Sequence, residues 1–361
     1  MSSPIIPSPT EERILESSTS VLTPEEPTQE IAGRSLSQIA WSRVRRDMPA
    51  MVALGFIVFV IAVAVFAPLV TRAVGVTTDQ PFGDDLSKVI SDESGGLPVG
   101  WTPSCAEGMG GFKFSCSGIS LEHPFGVEPQ TGRDIFAMLV YGSRISLLIA
   151  TVSTVLVIAI GMILGTVAGY LGGWFDGVLG RVMDLLLSFP TLLMLLVLTP
   201  VFLDRMANMG ALSMTGNTAR VVYMITFFAL FSWPYLARIV RGQVISLRER
   251  EFVESARAMG SSSRRIVFKE LIPNLWAPIL VYASLLLPSF IAFEAALSYL
   301  GVGVEPPSTT WGKMLGDSVS YFAVIPWYLF IPGTYLFLVV LAFNIFGDAV
   351  RDALDPRAGR V

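Results

Sequence analysis

Six long apolar runs, separated by polar stretches, organise the chain. They cover residues 49–70, 145–171, 185–203, 221–237, 278–300 and 324–346. Each is close to the roughly 20 apolar residues that carry a helix across a hydrocarbon core. Charged residues cluster between the runs and leave long apolar gaps. The pattern predicts an all-α integral membrane protein with six transmembrane helices.

The flanking segments read differently. Residues 1–34 are rich in Ser, Pro, Thr and Glu without apolar periodicity, which predicts a disordered cytoplasmic tail. The stretch lacks the basic start and apolar core of a signal peptide. Residues 35–48 predict an interfacial helix capped by Ser35. Leu36, Ile39, Ala40, Val44 and Met48 share one side of it, and Arg43, Arg45 and Arg46 lie near the membrane. Residues 71–133 form a long external loop rich in Gly and Pro, and residues 134–347 a core domain with five of the six spans. Within the core, residues 238–276 form a cytoplasmic loop, and residues 348–361 a cytoplasmic tail.

Basic residues orient the chain. With the N-terminus inside, 17 of the 25 Lys and Arg residues lie in cytoplasmic segments, eight of them between Arg238 and Lys269. Five or seven spans would move that loop or the tail to the wrong side, so both termini are expected in the cytoplasm.

Composition agrees. The chain of 361 residues is 52% hydrophobic and 15% charged, where soluble domains carry roughly 25% charged residues. The net charge of −4 says less than its distribution, and no basic face for nucleic acid is visible. Both cysteines, Cys105 and Cys116, fall in the external loop, where an oxidising compartment permits a disulfide. Two free thiols are the alternative.

Catalytic constellations are missing, and no metal site is expected. The lone histidine, His123, cannot make the usual metal site. Gly312-Lys313 lacks the upstream glycine of a nucleotide-binding loop, so any ATP must bind another chain. Asp184 stands at the cytoplasmic start of the third run, where Arg181 is its expected partner. Glu294, toward the outer end of the fifth, reads either as a pathway or gate residue or as a satisfied interhelical hydrogen bond. Pro278 and Pro288 in the fifth run, and Pro326 and Pro332 near the sixth, mark expected kinks.

The cytoplasmic loop carries the most information. Two short helices separated by Gly260 are expected, with Pro273 ending the second. Phe252, Val253, Ala256 and Met259 form an apolar stripe at helical spacing, with Glu249, Glu251, Glu254 and Arg257 between. Such a helix can seat its stripe in a partner's groove or rest on the bilayer.

The segment resembles the EAA loop of ABC importer permeases: Glu254, Ser255, Ala256, Gly260 and Pro273 fill the motif positions, with Ser255 replacing the usual second Ala. Three further stretches are similar to the C-type permease subunit of dipeptide and oligopeptide importers. They are His123-Pro-Phe-Gly126 through Thr131-Gly-Arg-Asp134 to Leu147, Gly169 to Asp176 with Arg181, Asp184 and Pro190, and Leu297 to Pro307 with Trp311-Gly312. The N-terminal tail and the external loop around residues 84–119 depart from the family.

The resemblance implies a type I ABC importer permease fold. It implies that the chain pairs with a homologous second permease subunit around a central pathway. One or two ABC ATPase subunits bind below, and an external substrate-binding protein delivers substrate above. Glu254, Ser255, Ala256, Arg257, Gly260 and Pro273 become candidates for coupling to the ATPases, and Glu294 for a gate. No cofactor is expected on this chain, since ATP and Mg bind the ATPase subunits. The expected function is non-catalytic passage of di- or oligopeptides across the plasma (inner) membrane. Rival readings are a nickel importer permease of the same family, a secondary carrier and a non-transporting scaffold.

Overall fold

Eleven helices and two very short strands make up the described part of the computed structural model, which covers residues 41–75, 90–91, 97–98, 119, 123–209, 216–323 and 325–354. The helices are α1 (Met48–Val65), α2 (Ala67–Val74), α3 (Ile135–Leu171), α4 (Gly173–Ser188), α5 (Thr191–Met209), α6 (Gly216–Leu247), α7 (Glu251–Ala258), α8 (Ser263–Arg265), α9 (Trp276–Tyr299), α10 (Trp311–Val319) and α11 (Trp327–Leu354). Strands β1 (Ile90–Ser91) and β2 (Leu97–Pro98) pair antiparallel in the loop over residues 71–133, expected outside. The N-terminal tail, most of that loop with Cys105 and Cys116, and residues 355–361 lie outside the described residues.

Among the described residues, five segments are long and apolar enough to cross a membrane: α1, α3, α6, the helical path Ser263–Tyr299, and α11. The sixth expected span, residues 185–203, is a bent pair: α4 and the first part of α5 meet at 84°. The break falls at Phe189-Pro190, where Pro190 forces Phe189 out of helical geometry to ψ 133°. The first span also departs from a single straight run. It breaks at Phe66, and α2 continues with Pro68 in its first turn.

Local caps set the remaining ends. Asp134 accepts from the Ala137 N–H at 2.8 Å, so α3 starts ten residues before the apolar run. Asp47 likewise caps α1 through Ala50 N. The helical stretch expected over 35–48 is helical at residues 41–44 and turns before Asp47. There Val44 packs against Ala50, Ala349 and Ala353, beside the end of α11. Pro326 precedes α11 instead of kinking it, whereas Pro288 and Pro332 lie inside their helices.

The core is built on α3. Its glycines 161, 165 and 169 form a stripe at four-residue spacing, turned to α6. A β carbon on them would stand 2.9 Å from Leu236 Cβ, 2.6 Å from the Ala237 carbonyl oxygen and 2.8 Å from the Arg241 carbonyl oxygen. Between membrane helices, where water expulsion contributes little, such close backbone approach supplies the packing. On the other side of α3, α9 packs closely against α10, since a β carbon on Gly312 would meet Ala295 Cα at 2.4 Å.

Candidate functional site

The predicted cytoplasmic loop divides into a helical extension and a helix–turn–helix. α6 runs on to Leu247, ten residues past the apolar run. Arg238 and Arg241 are good helix formers, and both pair with carboxylates of α4. Arg241 holds Asp176 with two hydrogen bonds, one from Nη2 to Oδ2 at 2.6 Å, and Arg238 pairs with Asp184. Asp184 therefore has Arg238 as its partner, not Arg181. An open groove of about 410 Å³ between α4 and α6 is lined by these four residues together with Arg181, Met183 and two glycines.

α7 follows after a turn at residues 248–250. The expected single stripe splits. Val253 and Ala256 are buried in the chain's own core, while Phe252 is 38% and Met259 79% exposed. Val253 and Ala256 lie on the inner edge of that stripe, Phe252 lies on its outer edge, and Met259 stands at the C-cap beyond the helix end. Glu254, Ser255 and Arg257 are exposed, and the Arg257 guanidinium lies 5.5 Å from the centre of the Tyr170 ring.

Gly260 closes α7. Its N–H donates to Arg257 O at 2.9 Å and the Ser261 N–H donates to Ala256 O at 3.0 Å, the paired bonds of a Schellman cap. Its φ of +77° is in the left-handed region, where only glycine avoids strain. Nothing lies within 4 Å of where its β carbon would be, so the constraint is conformational, not steric. Ser262 then caps the next helix through Arg265 N.

Pro273 does not end that second helix. The path continues through a π-helical turn, Ile266–Leu271, and a 3₁₀ turn, Ile272–Leu275, into α9. Proline lacks an N–H, and the switch of hydrogen-bond pattern around it keeps the chain helical.

Glu294 is fully buried inside the chain. It accepts from Ser146 Oγ of α3 at 2.7 Å and from Ser298 Oγ at 2.6 Å. Ser298 in turn accepts from Thr310 Oγ1 at 3.2 Å. The arrangement ties α3, α9 and the start of α10 together and leaves Glu294 no exposed surface.

A second buried cluster lies ahead of α3 and reaches the start of α11. Glu128 accepts from Tyr328 Oη of α11 at 2.5 Å, from Arg133 Nε at 2.6 Å and from Thr131. Burial pulls the Arg133 pKa down, but the hydrogen bond and attraction of Glu128 outweigh it and raise it above its ordinary value. His123 Nδ1 lies 2.8 Å from Asp134 Oδ2. Across the same face, Arg220 donates to Gly303 O at 3.0 Å and to Glu305, and Asn217 exchanges two hydrogen bonds with the Glu305 backbone. Among the described residues no group of three or more His, Cys, Asp or Glu could hold a metal ion.

Sequence reasoning did not find Tyr170, Arg241, Arg248, Glu128 or Tyr328 as working groups. Their partners are 65 to 200 positions away for Arg241 and Tyr328, and no local pattern marks them.

Comparison with known proteins bears on this arrangement. Residues 158–360 match the family described as binding-protein-dependent transport system inner membrane component, and residues 35–86 match the N-terminal TM domain of oligopeptide transport permease C. A dipeptide transport system permease protein of Alkalihalophilus pseudofirmus is 34% identical over 88% of this chain and 89% of its own length. An oligopeptide transport system permease protein of Bacillus subtilis is 33% identical over 91% and 93%. Among solved structures, the inward-facing MetNI methionine ABC transporter aligns over 60% of this chain and 97% of the matched chain, at 19% identity and a TM-score of 0.44.

Proposed function

The chain belongs to the family of binding-protein-dependent transport system inner membrane components, and from that premise we propose that it is a permease subunit of an ATP-driven ABC importer for di- or oligopeptides. The peptide substrate is supported by relatives named for dipeptide and oligopeptide transport that match most of their own length.

The observation that carries the mechanism is the two-sidedness of α7. Val253 and Ala256 root it in the transmembrane core, while Phe252, Met259 and the charged Glu254 and Arg257 face outward. A helix presenting apolar anchors between charges suits a groove on a partner. That partner is an ABC ATPase subunit, one or two of which bind ATP and Mg. The chain itself carries no catalysis and no cofactor. A homologous second permease completes the pathway, and an external binding protein supplies the peptide.

Closure of the ATPases on ATP displaces α7 and turns the pathway outward, and hydrolysis resets it. The two equilibria are linked, so substrate delivery from outside also favours ATP-driven closure. Glu254, Ser255, Arg257 and Gly260 act at the contact, Ala256 anchors α7 beneath it, and Pro273 shapes the return path to α9. The protein resides in the plasma (inner) membrane with both termini in the cytoplasm, on the side of the basic Arg238–Lys269 stretch.

The test is uptake of a labelled dipeptide by proteoliposomes holding the assembled complex. Accumulation that requires internal ATP and the binding protein supports the reading. Nickel uptake without peptide uptake moves the assignment to a metal importer, and uptake indifferent to ATP moves it to a secondary carrier.

A further inference from the structure

The cytoplasmic elbow between α3 and α4 is bound to the coupling segment at three points. Arg257 of α7 lies over the Tyr170 ring at 5.5 Å. Arg248, just past the end of α6, donates from Nη1 to the Gly169 carbonyl at 3.1 Å. Arg241 grips Asp176 through two hydrogen bonds. All three arginines belong to the stretch that leads into α7 or forms it, and all three acceptors fall in Gly169–Asp176.

The elbow is shaped to receive them. Gly172 and Gly173 have φ of +65° and +58°, consecutive left-handed residues that only glycine adopts readily. A β carbon on Gly172 would lie 3.6 Å from Arg248 Nη1, an ordinary contact, so the demand for glycine there is conformational. Tyr170 is itself packed against the main core, so its ring is a fixed platform.

These contacts give α7 two attachments to the membrane domain. One is the helical path from Ser263 into α9. The other is the elbow, which leads back into α3 and forward into α4. We propose that Tyr170, Asp176, Arg241 and Arg248 are positioning residues of the coupling step. They tie α7 to the α3–α4 elbow, so that a displacement imposed by the ATPases reaches α3 and α4 directly as well as α9. This inference rests on the importer reading above.

The test uses the assembled complex in proteoliposomes, with peptide uptake and ATP hydrolysis measured in the same vesicles. Tyr170→Ala removes the platform and should lower peptide taken up per ATP hydrolysed about two- to fivefold, the scale of one cation–π contact, while hydrolysis continues. Tyr170→Phe keeps the ring face and should retain the ratio. Asp176→Arg and Arg241→Asp should each lower the ratio, and the double reversal should restore it. A merely structural contact would change assembly and leave the ratio of the assembled complex untouched. Should Tyr170→Ala fail to assemble, the reversal pair decides alone. The proposal is overturned if assembled Tyr170→Ala keeps the wild-type ratio, or if the double reversal assembles and stays as low as the single variants. A wild-type complex without ATP-driven uptake overturns the importer reading and this inference with it; a coupled wild type with indifferent variants overturns the elbow alone.

Discussion

Gly165 of α3 faces Ala237 of α6 so closely that a β carbon on the glycine would stand 2.6 Å from the Ala237 carbonyl oxygen. The contact is backbone against backbone, with no flexible side chain to yield. It fixes the separation of the two helices whose cytoplasmic ends carry the elbow and lead to α7.

Substitution at this contact should therefore act on folding. Gly165→Val forces the helices apart and should destabilise by about 1–3 kcal/mol or more, the range for overpacking. Gly177→Ala on α4, where nothing lies within 4 Å, should be neutral or slightly stabilising. Thermal unfolding of the two variants in detergent, followed by intrinsic fluorescence, checks the contrast.

Glu294 should prove a structural acceptor. Glu294→Ala leaves the Ser146 and Ser298 hydroxyls without their partner and should cost about 2–4 kcal/mol. Glu294→Gln retains one acceptor oxygen and should lose less. Unfolding midpoints in the order wild type, Gln, Ala are expected. A Gln variant of wild-type stability that cannot transport would return Glu294 to the pathway.

At the external end, Tyr328→Phe removes the hydroxyl that donates to buried Glu128 at 2.5 Å. A loss of about 1–3 kcal/mol is expected for the acceptor left short of a donor. Faster proteolysis around residues 123–134, measured by limited digestion and mass spectrometry, would locate the effect at the loop held by this cluster.

Gly260 separates conformation from bulk. Because the site is open and φ is +77°, Gly260→Ala and Gly260→Arg should both strain the turn, by about 1–2 kcal/mol for a left-handed residue with a β carbon. Gly260→Asn should be milder, since asparagine tolerates that region better. Membrane insertion should be intact in all three, with uptake lost most in the Arg variant. Normal uptake by Gly260→Arg would remove Gly260 from the coupling assignment.

The spans were legible in the sequence because lipid demands long apolar runs, and the helix–Gly–helix around Gly260 because its signals are local. Other features depend on tertiary partners. Past its apolar run α6 is pinned to α4 by Asp176 and Asp184, which meet Arg241 and Arg238 from more than fifty positions away. The stripe of Phe252, Val253, Ala256 and Met259 reads as one face in sequence, yet the core claims only Val253 and Ala256. The 84° break at Phe189-Pro190 falls inside a run that reads as one unbroken span in the sequence. Glu294 shows the same limit: Ser298 is a local donor, but Ser146 reaches it from α3, 148 positions earlier.

The most direct measurement is gentle detergent purification of the tagged chain with mass spectrometry of what accompanies it. A related permease, one or two ABC ATPases and an external binding protein are expected, with the Gly260→Arg variant retaining the permease and losing ATPase. A chain recovered alone and monodisperse, with uptake insensitive to ATP depletion, would contradict the importer reading.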